Sequence, residues 1–164
     1  MDFSGKTVIV TGAGGGIGEG YARACADAGM NVVIAELSEE GGKRVAADVN
    51  AGGGTALFVQ TDVGSEESAR ACAEATMEAF GAIHVCCNYA GVGNAIKTVG
   101  KDGPFPLDKF KLIIDINLIG TFNVLRLAAA EMQKNEPHNE YGGRGCIINT
   151  PSVAAYEGKI GQAP

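Results

Sequence analysis

The sequence Thr-Gly-Ala-Gly-Gly-Gly-Ile-Gly at residues 11–18 decides the fold of this 164-residue chain. It follows a β-branched run at residues 6–10, which is typical of a buried parallel strand. The alanine-rich segment at residues 19–28 predicts a helix that Gly29 ends. A glycine loop between strand and helix turns free backbone N–H groups and the positive helix end toward a phosphate. We therefore expect a phosphate-binding loop, because the flanking signals disfavour the alternative of a flexible surface turn.

The glycine spacing separates this loop from two common phosphate loops. The dinucleotide pattern with glycine at i, i+2 and i+5 fails, because its last position falls on Ile17 or on Glu19. A Walker loop fails because no lysine follows Gly18. The pattern that fits is Thr-Gly-x-x-x-Gly-x-Gly, formed by Thr11, Gly12, Gly16 and Gly18.

Composition limits the classes of protein and partner. Hydrophobic residues make up 46% of the chain, which excludes a disordered protein. The net charge of −6 argues against nucleic acid or an anionic membrane as a partner. No apolar run approaches the length of a membrane span, so we expect no membrane partner. We expect a cytoplasmic location and leave the mitochondrial matrix open.

Cysteine usage indicates a reduced protein without a metal site. The five cysteines are odd in number and most stand among aliphatic residues, which argues against a disulfide scaffold. Cys86 and Cys87 are adjacent in a predicted strand, so their side chains should point to opposite faces and cannot share a metal. With only two histidines, no zinc pattern appears.

An acid ends the second apolar run of the chain. Residues 31–35 predict a strand, and Glu36 follows it directly. In a doubly wound fold, the carboxylate at this place accepts hydrogen bonds from the adenosine ribose. It also repels a 2′-phosphate, so Glu36 predicts NAD rather than NADP. The alternative interpretation of Glu36 is a solvated loop acid.

Strand and helix signals alternate along the rest of the chain. Further strands are expected at residues 55–60, 83–88 and 146–149, and Ser38 and Ser65 begin helices. Residues 92–107 lack periodicity, and residues 107–134 predict one long helix. Its apolar stripe contains Phe110, Ile113, Ile114, Leu118, Thr121, Leu125 and Ala128, and Asn117 falls on this stripe. This alternation predicts right-handed βαβ units and a parallel sheet covered on both faces.

At this point the chain resembles the short-chain dehydrogenase/reductase family. The residues that carry the resemblance are the glycine motif, Asp62-Val63 and Asn88-Tyr89-Ala90-Gly91, which departs from the family's Asn-Asn-Ala-Gly at Tyr89. The resemblance implies an α/β fold with a doubly wound parallel sheet of Rossmann type and strand order 3-2-1-4-5. Residues 1–164 are expected to form a single NAD-binding domain that lacks the C-terminal part of the family fold.

The resemblance also implies NAD as the cofactor and assigns residues to it. The glycine loop (Gly12, Gly15, Gly16, Ile17 and Gly18) and Glu36 hold NAD. Asp62 bonds the adenine amino group and Val63 lies beside the ring. Asn88 ties down the fourth strand, and Tyr89, Ala90 and Gly91 belong to the segment against the nicotinamide ribose. The alternatives are a helix-capping acid for Asp62 and a strand-end turn residue for Asn88.

Two residues are candidates for catalysis. Asn117 stands in an Asn-x-x-Gly-x-Phe setting that family members share, which implies that it holds a water in a proton relay. On position alone, a satisfied structural asparagine is favoured. Ser152 matches the family serine that hydrogen-bonds the substrate carbonyl. Pro151 departs from the family at the preceding position, and a proline fixes φ and removes a donor.

The sequence looks more narrowly like the type-2 3-hydroxyacyl-CoA dehydrogenase branch, whose members also oxidise hydroxysteroids. The family's general base is a tyrosine followed four residues later by a lysine. Tyr156 and Lys159 are three residues apart, and residues 160–164 end where the branch places its tyrosine. We therefore predict that a chain ending at Pro164 binds NAD but cannot catalyse at the family rate.

Three functional hypotheses follow. The first is NAD-dependent hydride transfer to or from a secondary alcohol of the 3-hydroxyacyl-CoA or hydroxysteroid type, by a homo-oligomer (dimer or tetramer). The second is a catalytically silent NAD-binding protein that acts through association. The third, a nucleotide-binding domain of unrelated chemistry, is disfavoured by residues 88–91.

Overall fold

The computed structural model describes residues 2–164, and its centre is a five-stranded parallel sheet. The strands in chain order are β1 (Thr7–Thr11), β2 (Asn31–Glu36), β3 (Thr55–Gln60), β4 (Val85–Asn88), β5 (Val99–Gly100), β6 (Gly103–Pro104) and β7 (Cys146–Asn149). The large sheet has the order β3-β2-β1-β4-β7, which confirms the predicted doubly wound fold. The predicted fifth strand is β7, because the segment after β4 adds the small antiparallel pair β5–β6.

Helices follow the strands and cover both faces of the sheet. They are α1 (Gly16–Asp27), α2 (Glu39–Ala51), α3 (Glu66–Phe80), α4 (Leu107–Ile114) and α5 (Thr121–Met132), with a 3-10 turn at Val153–Ala155. The hydroxyls of Ser38 and Ser65 accept hydrogen bonds from backbone N–H groups in the first turns of α2 and α3, as predicted. Gly81 ends α3 in the left-handed conformation, with φ of 75°.

The core consists of two apolar layers, one on each face of the sheet. Alternate residues of the central strands belong to different layers, because side chains alternate along a strand. Residues of α1 and α2 complete one layer, and residues of α3 and α5 complete the other. Cys87 lies in the first layer and Cys86 in the second, which confirms that they point to opposite faces.

The long helix differs from its prediction in the middle. A π-helical segment, Asp115–Gly120, joins α4 to α5, and the helix ends at Met132. Leu118, predicted on the buried stripe, is 63% exposed, and Asn117 is exposed as well. A π turn holds more residues than an α turn, so a stripe drawn with a period of 3.6 residues loses its register there. The buried positions are Gly120 at the end of this segment and Asn123, Val124, Ala128 and Met132 in α5.

By length and composition alone, the continuous helix Leu107–Met132 could cross a membrane. The expectation that no apolar segment approaches this length is therefore wrong for this helix. Asp115 and Arg126 interrupt the apolar sequence, but they do not interrupt the helix. Core helices of soluble proteins pass the same test, and Val124 and Ala128 pack in the core against the sheet.

Candidate functional site

A cavity of about 450 Å³ opens at the carboxyl ends of β1, β2, β3 and β4. This is the edge at which open α/β sheets bind their ligands. Most of the residues predicted to hold a cofactor line this cavity. They are Gly12, Gly15, Ile17, Gly18, Glu36, Asp62, Val63, Tyr89, Ala90 and Gly91. Gly16 and Asn88 do not line it, and their predicted roles remain predictions.

The glycine loop packs closely against the segment after β4 and against its own backbone. Gly12 has φ of 65°, and a Cβ there would lie 2.8 Å from the backbone of Ala90. A Cβ on Gly18 would overlap the carbonyl oxygen of Gly12. Larger residues would therefore push α1 and the segment after β4 away from β1.

The beginning of α1 faces the cavity, and no capping side chain accepts hydrogen bonds from its first backbone N–H groups. Gly15 is the N-cap residue, it is in extended conformation, and it supplies no side-chain acceptor. Gly15, Ile17 and Gly18 line the cavity. Because the first N–H groups of a helix have no partner within the helix, this end suits an anionic group.

The carboxylate of Glu36 is held in place at one end of the cavity. Its Oε2 accepts a hydrogen bond from the Gly14 N–H at 3.0 Å, and its Oε1 accepts one from the Ser38 N–H at 2.9 Å. Each carboxylate oxygen has a second lone pair, so both can accept further hydrogen bonds. The side chain is therefore a fixed acceptor at this end of the cavity.

Thr11 fixes the part of the cavity wall that Tyr89 and Ala90 form. Its hydroxyl accepts hydrogen bonds from the backbone N–H groups of Tyr89 and Ala90, both at 3.1 Å. The Tyr89 ring lies against Tyr21, with 5.3 Å between the ring centroids. Only the side chain of Tyr89 therefore differs from the family pattern, and its backbone N–H is hydrogen-bonded to Thr11 of β1. The sequence motif contains Thr11, but sequence reasoning gave it no role in the site.

Asp62 and Val63 lie where β3 leads into α3. The Asp62 Oδ1 accepts a hydrogen bond from the Gly64 N–H at 2.9 Å, which closes a local turn. Asn123, buried on α5, donates to the carbonyl oxygens of Val63 at 2.9 Å and Ser65 at 3.1 Å. Sequence reasoning missed Asn123, although a polar residue between buried apolar positions of a helix is a signal for such a role.

Asn88 and Asn117 each join two segments around the cavity. The Asn88 Nδ2 donates to the Asn149 Oδ1 at 2.9 Å and so links the ends of β4 and β7. The Asn117 side chain accepts from the Val92 N–H and donates to the Val92 carbonyl, both at 2.8 Å. The structure thus places Asn117 beside the cavity wall that Gly91 and Val92 form.

Ser152 lies outside the cavity lining. Its hydroxyl accepts a hydrogen bond from the Ala154 N–H at 3.2 Å and caps the 3-10 turn, and its side chain is exposed. Thr150 lines the cavity instead. Tyr156 is 87% exposed, and its ring does not line the cavity.

Ionisable side chains near the sheet offer no metal site. Within residues 2–164, no group of three histidine, cysteine or acidic residues could hold a metal ion. Burial raises the pKa of the Cys86 thiol to about 12 and that of Cys87 to about 11, so both stay protonated at neutral pH. These two cysteines are therefore core residues.

The geometry agrees with a family profile. The short chain dehydrogenase family matches residues 6–164. The chain belongs to the short-chain dehydrogenase family. The resemblance stated from the glycine motif, residues 62–63 and residues 88–91 is confirmed, and its departure at Tyr89 leaves membership of this dehydrogenase family intact.

Relatives of this short-chain dehydrogenase include proteins of the branch that the sequence indicated. The 3-hydroxyacyl-CoA dehydrogenase type-2 of Drosophila melanogaster is 41% identical over 157 residues, which are 94% of this chain and 60% of that protein. The Homo sapiens protein of the same name is 38% identical over 161 residues, which are 97% of this chain and 60% of that protein. The chain thus spans 60% of the length of these two curated relatives.

A solved short-chain dehydrogenase has the same fold. It is a 7α-hydroxysteroid dehydrogenase in complex with NADH and 7-oxo glycochenodeoxycholic acid. It matches with a TM-score of 0.85 and 30% sequence identity, over 97% of this chain and 58% of that chain.

Proposed function

We propose that this chain binds NAD in the 450 Å³ cavity, and that the protein to which it belongs uses NAD to oxidise a secondary alcohol or to run the reverse reaction. The observation that carries the proposal is the carboxylate of Glu36, which lines the cavity and is fixed by two backbone N–H groups. Family membership supports the reaction class.

The residues of the cavity fit a dinucleotide. Gly15 lines the cavity, and the place of its missing side chain is open space, so a pyrophosphate can approach the backbone at the open helix end of α1. Asp62 and Val63 would hold the adenine, and Tyr89, Ala90 and Gly91 would lie by the nicotinamide ribose. When bound, NAD supplies the hydride acceptor that the oxidation requires.

We propose NAD rather than its phosphorylated form. The fixed Glu36 carboxylate can accept hydrogen bonds from a ribose diol, whereas a 2′-phosphate would meet its negative charge. Calorimetric titration of the purified chain with NAD+ and with NADP+ tests this. We expect NAD+ to bind at least about tenfold more tightly, since one charge-assisted hydrogen bond contributes about 1.5–3 kcal/mol.

A matched pair of variants makes this test specific. Glu36→Gln should weaken NAD+ binding by about tenfold, because it removes the charged acceptor. Glu39→Gln removes an acid three residues away that is exposed and paired with Lys43, so it should leave NAD+ binding unchanged. Equal effects of the two substitutions, or tighter binding of NADP+ by the unmodified chain, would contradict the proposal.

For the substrate, we propose a 3-hydroxyacyl-CoA or a hydroxysteroid. The support comes from the names of the relatives and of the solved neighbour. In this proposal Ser152 orients the substrate oxygen and Asn117 supports the proton relay. The chain's own hydrogen bonds place Asn117 at the cavity wall, whereas Ser152 would have to exchange its bond to Ala154 for one to substrate.

The alternative is a catalytically silent NAD-binding chain that acts through association. Exposed apolar side chains at Leu118, Ile119 and Phe122 support assembly into a homo-oligomer. Steady-state turnover with NAD+ by the whole protein to which this chain belongs separates the two proposals. We expect turnover of a secondary alcohol, and NAD+ binding without any turnover would favour the silent alternative.

A further inference from the structure

Gly14, which donates a hydrogen bond to Glu36, also accepts one from an arginine. Gly14 donates its N–H to Glu36, and a Cβ on Gly14 would lie only 2.6 Å from the Glu36 Cγ. The carbonyl oxygen of Gly14 accepts a hydrogen bond from the Arg44 Nη2 at 3.0 Å. The guanidinium of Arg44 is therefore separated from the Glu36 carboxylate by a single glycine residue. Arg44 belongs to α2, and its side chain is 48% exposed.

Arg44 is the cation that hydrogen-bonds to the glycine loop at the end of the cavity where Glu36 lies. Within residues 2–164, no other lysine or arginine donates a hydrogen bond to the glycine loop. A guanidinium at this place would ordinarily suit a phosphate, since its donors match phosphate oxygens in pairs. The structure thus links this arginine, through Gly14, to the acid that we propose repels a 2′-phosphate.

Glu19 accepts one hydrogen bond from each terminal nitrogen of Arg44. The Glu19 carboxylate accepts from the Arg44 Nη1 at 2.9 Å and from its Nη2 at 2.6 Å. Both terminal nitrogens of Arg44 are therefore bound to Glu19, and Nη2 is also bound to Gly14. The hydrogen bonds from Arg44, and then those from Arg23, lower the pKa of Glu19 to about 2, so this carboxylate is charged at neutral pH.

The ion-paired set of Arg23, Arg44, Glu19 and Asp48 has no net charge. Arg23 also binds Glu19, through Nη2 at 2.7 Å, and binds Asp48 at 2.7 Å, while Arg44 lies 3.8 Å from Asp48. Two guanidinium groups thus face two carboxylates. A phosphate arriving at the Glu36 end of the cavity would meet one negative charge and a neutralised cluster.

We infer that Glu19 is a second selectivity residue for the adenosine end of the cofactor, because it holds Arg44 in a pair and withholds that cation from a 2′-phosphate. This inference rests on the proposed function, namely that the cavity takes a nicotinamide dinucleotide. Selectivity is then shared: Glu36 repels the 2′-phosphate, and Glu19 neutralises the arginine that could bind it.

The experiment compares NADP+ and NAD+ affinities by calorimetric titration in a Glu36→Gln background, where direct repulsion is removed. Adding Glu19→Gln should strengthen NADP+ binding by about tenfold, because a freed guanidinium forms a charge-assisted bond to phosphate. NAD+ binding should change by less than about threefold, because NAD+ carries no phosphate there. Adding Arg44→Gln to this double variant should abolish the gain.

A control variant removes the other arginine of the cluster. Arg23→Gln in the Glu36→Gln background leaves the pair between Glu19 and Arg44 intact, so it should give no gain in NADP+ affinity. Adenosine 2′,5′-bisphosphate and adenosine 5′-monophosphate repeat the comparison without a nicotinamide, and they locate the effect at the adenosine end.

A second test leaves Glu19 untouched and so does not depend on the stability of its variants. If Arg44 is sequestered, Arg44→Gln in the Glu36→Gln background should leave NADP+ affinity unchanged. A loss of NADP+ affinity in that variant would overturn the inference, as would an unchanged affinity in a folded Glu19→Gln/Glu36→Gln protein that still binds NAD+. If the unmodified chain binds neither dinucleotide, the proposed function fails instead, and the two failures are distinct.

Discussion

The Nδ1 atom of His84 accepts a hydrogen bond from the backbone N–H of Thr7 at 3.0 Å. The backbone N–H of His84 donates to the Thr7 carbonyl at the same distance, so the two residues pair at the point where β1 begins. An imidazole accepts at Nδ1 only when that nitrogen carries no proton. Burial, and then the charges of Lys6 and His138, lower the pKa of His84 and favour this neutral form.

We predict that the chain loses stability as the pH falls below about 6.5, the usual pKa of a histidine in an unfolded chain. Because the folded state lowers the pKa of His84, the unfolded chain binds more protons in this range, and stability rises with pH. The contribution is complete above that value and decreases below it. Urea unfolding between pH 5.5 and 7.5 measures the effect.

The variant His84→Asn isolates this histidine from other titrating groups, including His138. Its side-chain carbonyl can still accept the Thr7 N–H, but it does not titrate. The variant should therefore unfold with a weaker dependence on pH over the same range. Identical pH dependence in the two proteins would show that His84 is not the group responsible.

Two glycines near the start of α1 should respond in opposite ways to alanine. Gly18→Ala should destabilise the chain by about 2–4 kcal/mol and prevent NAD+ binding, because its Cβ would overlap the Gly12 carbonyl oxygen. Gly20→Ala lies in the same helix and meets no atom within 4 Å, so it should stabilise the chain by about 0.5–1 kcal/mol. Thermal unfolding and calorimetry measure both, and a similar loss in both variants would argue against a steric cause at Gly18.

The sequence was sufficient to locate the sheet because its signals are local. The β-branched runs ending at Thr11 and Glu36 have no polar residue between their buried positions, and both faces of these strands are covered. Ser65 and Gly81 mark the two ends of α3 by their capping chemistry, which depends only on neighbouring residues. The glycines of the motif at residues 11–18 are also a local signal, because the fold brings backbone too close to Gly12 and Gly18 for a side chain to fit.

Contacts between distant segments could not be predicted in this way. Glu19 and Arg44 are 25 residues apart, and Asn123 binds a carbonyl 60 residues away, so both contacts depend on how the helices dock. The π-helical segment was missed because its sequence, Asp-Ile-Asn-Leu-Ile-Gly, keeps an apolar pattern that an α-helix would also accept. The docking of the helices links Arg44 to Glu36 through Gly14, and the π-helical segment moves Leu118 to the surface.

The hydroxyl of Thr11 should contribute more to the free energy of unfolding than its methyl group does. Thr11→Val keeps the shape of the side chain but leaves the N–H groups of Tyr89 and Ala90 without an acceptor, which should cost about 1–3 kcal/mol of unfolding free energy. Thr11→Ser retains the acceptor and should lose less. The two variants, compared by urea unfolding and NAD+ titration, would contradict this account if serine were as harmful as valine.

Asn117 should control the segment that follows β4. Asn117→Ala removes both bonds to the Val92 backbone, so amide hydrogen exchange at Val92 should become faster, while exposed bonds of this kind should cost only about 1 kcal/mol of global stability. Asn117→Asp keeps the acceptor but loses the donor, so its exchange rate should be intermediate.

Asn139 provides the matched control for this last prediction, because its side chain accepts from the Tyr141 and Gly143 N–H groups in a loop away from the cavity. Asn139→Ala should speed exchange at those two amides and leave Val92 unchanged. If Val92 instead exchanges equally fast in the unmodified chain and in Asn117→Ala, the side chain does not hold this segment. Asn117 would then be free of the structural role that competes with its proposed place in the proton relay.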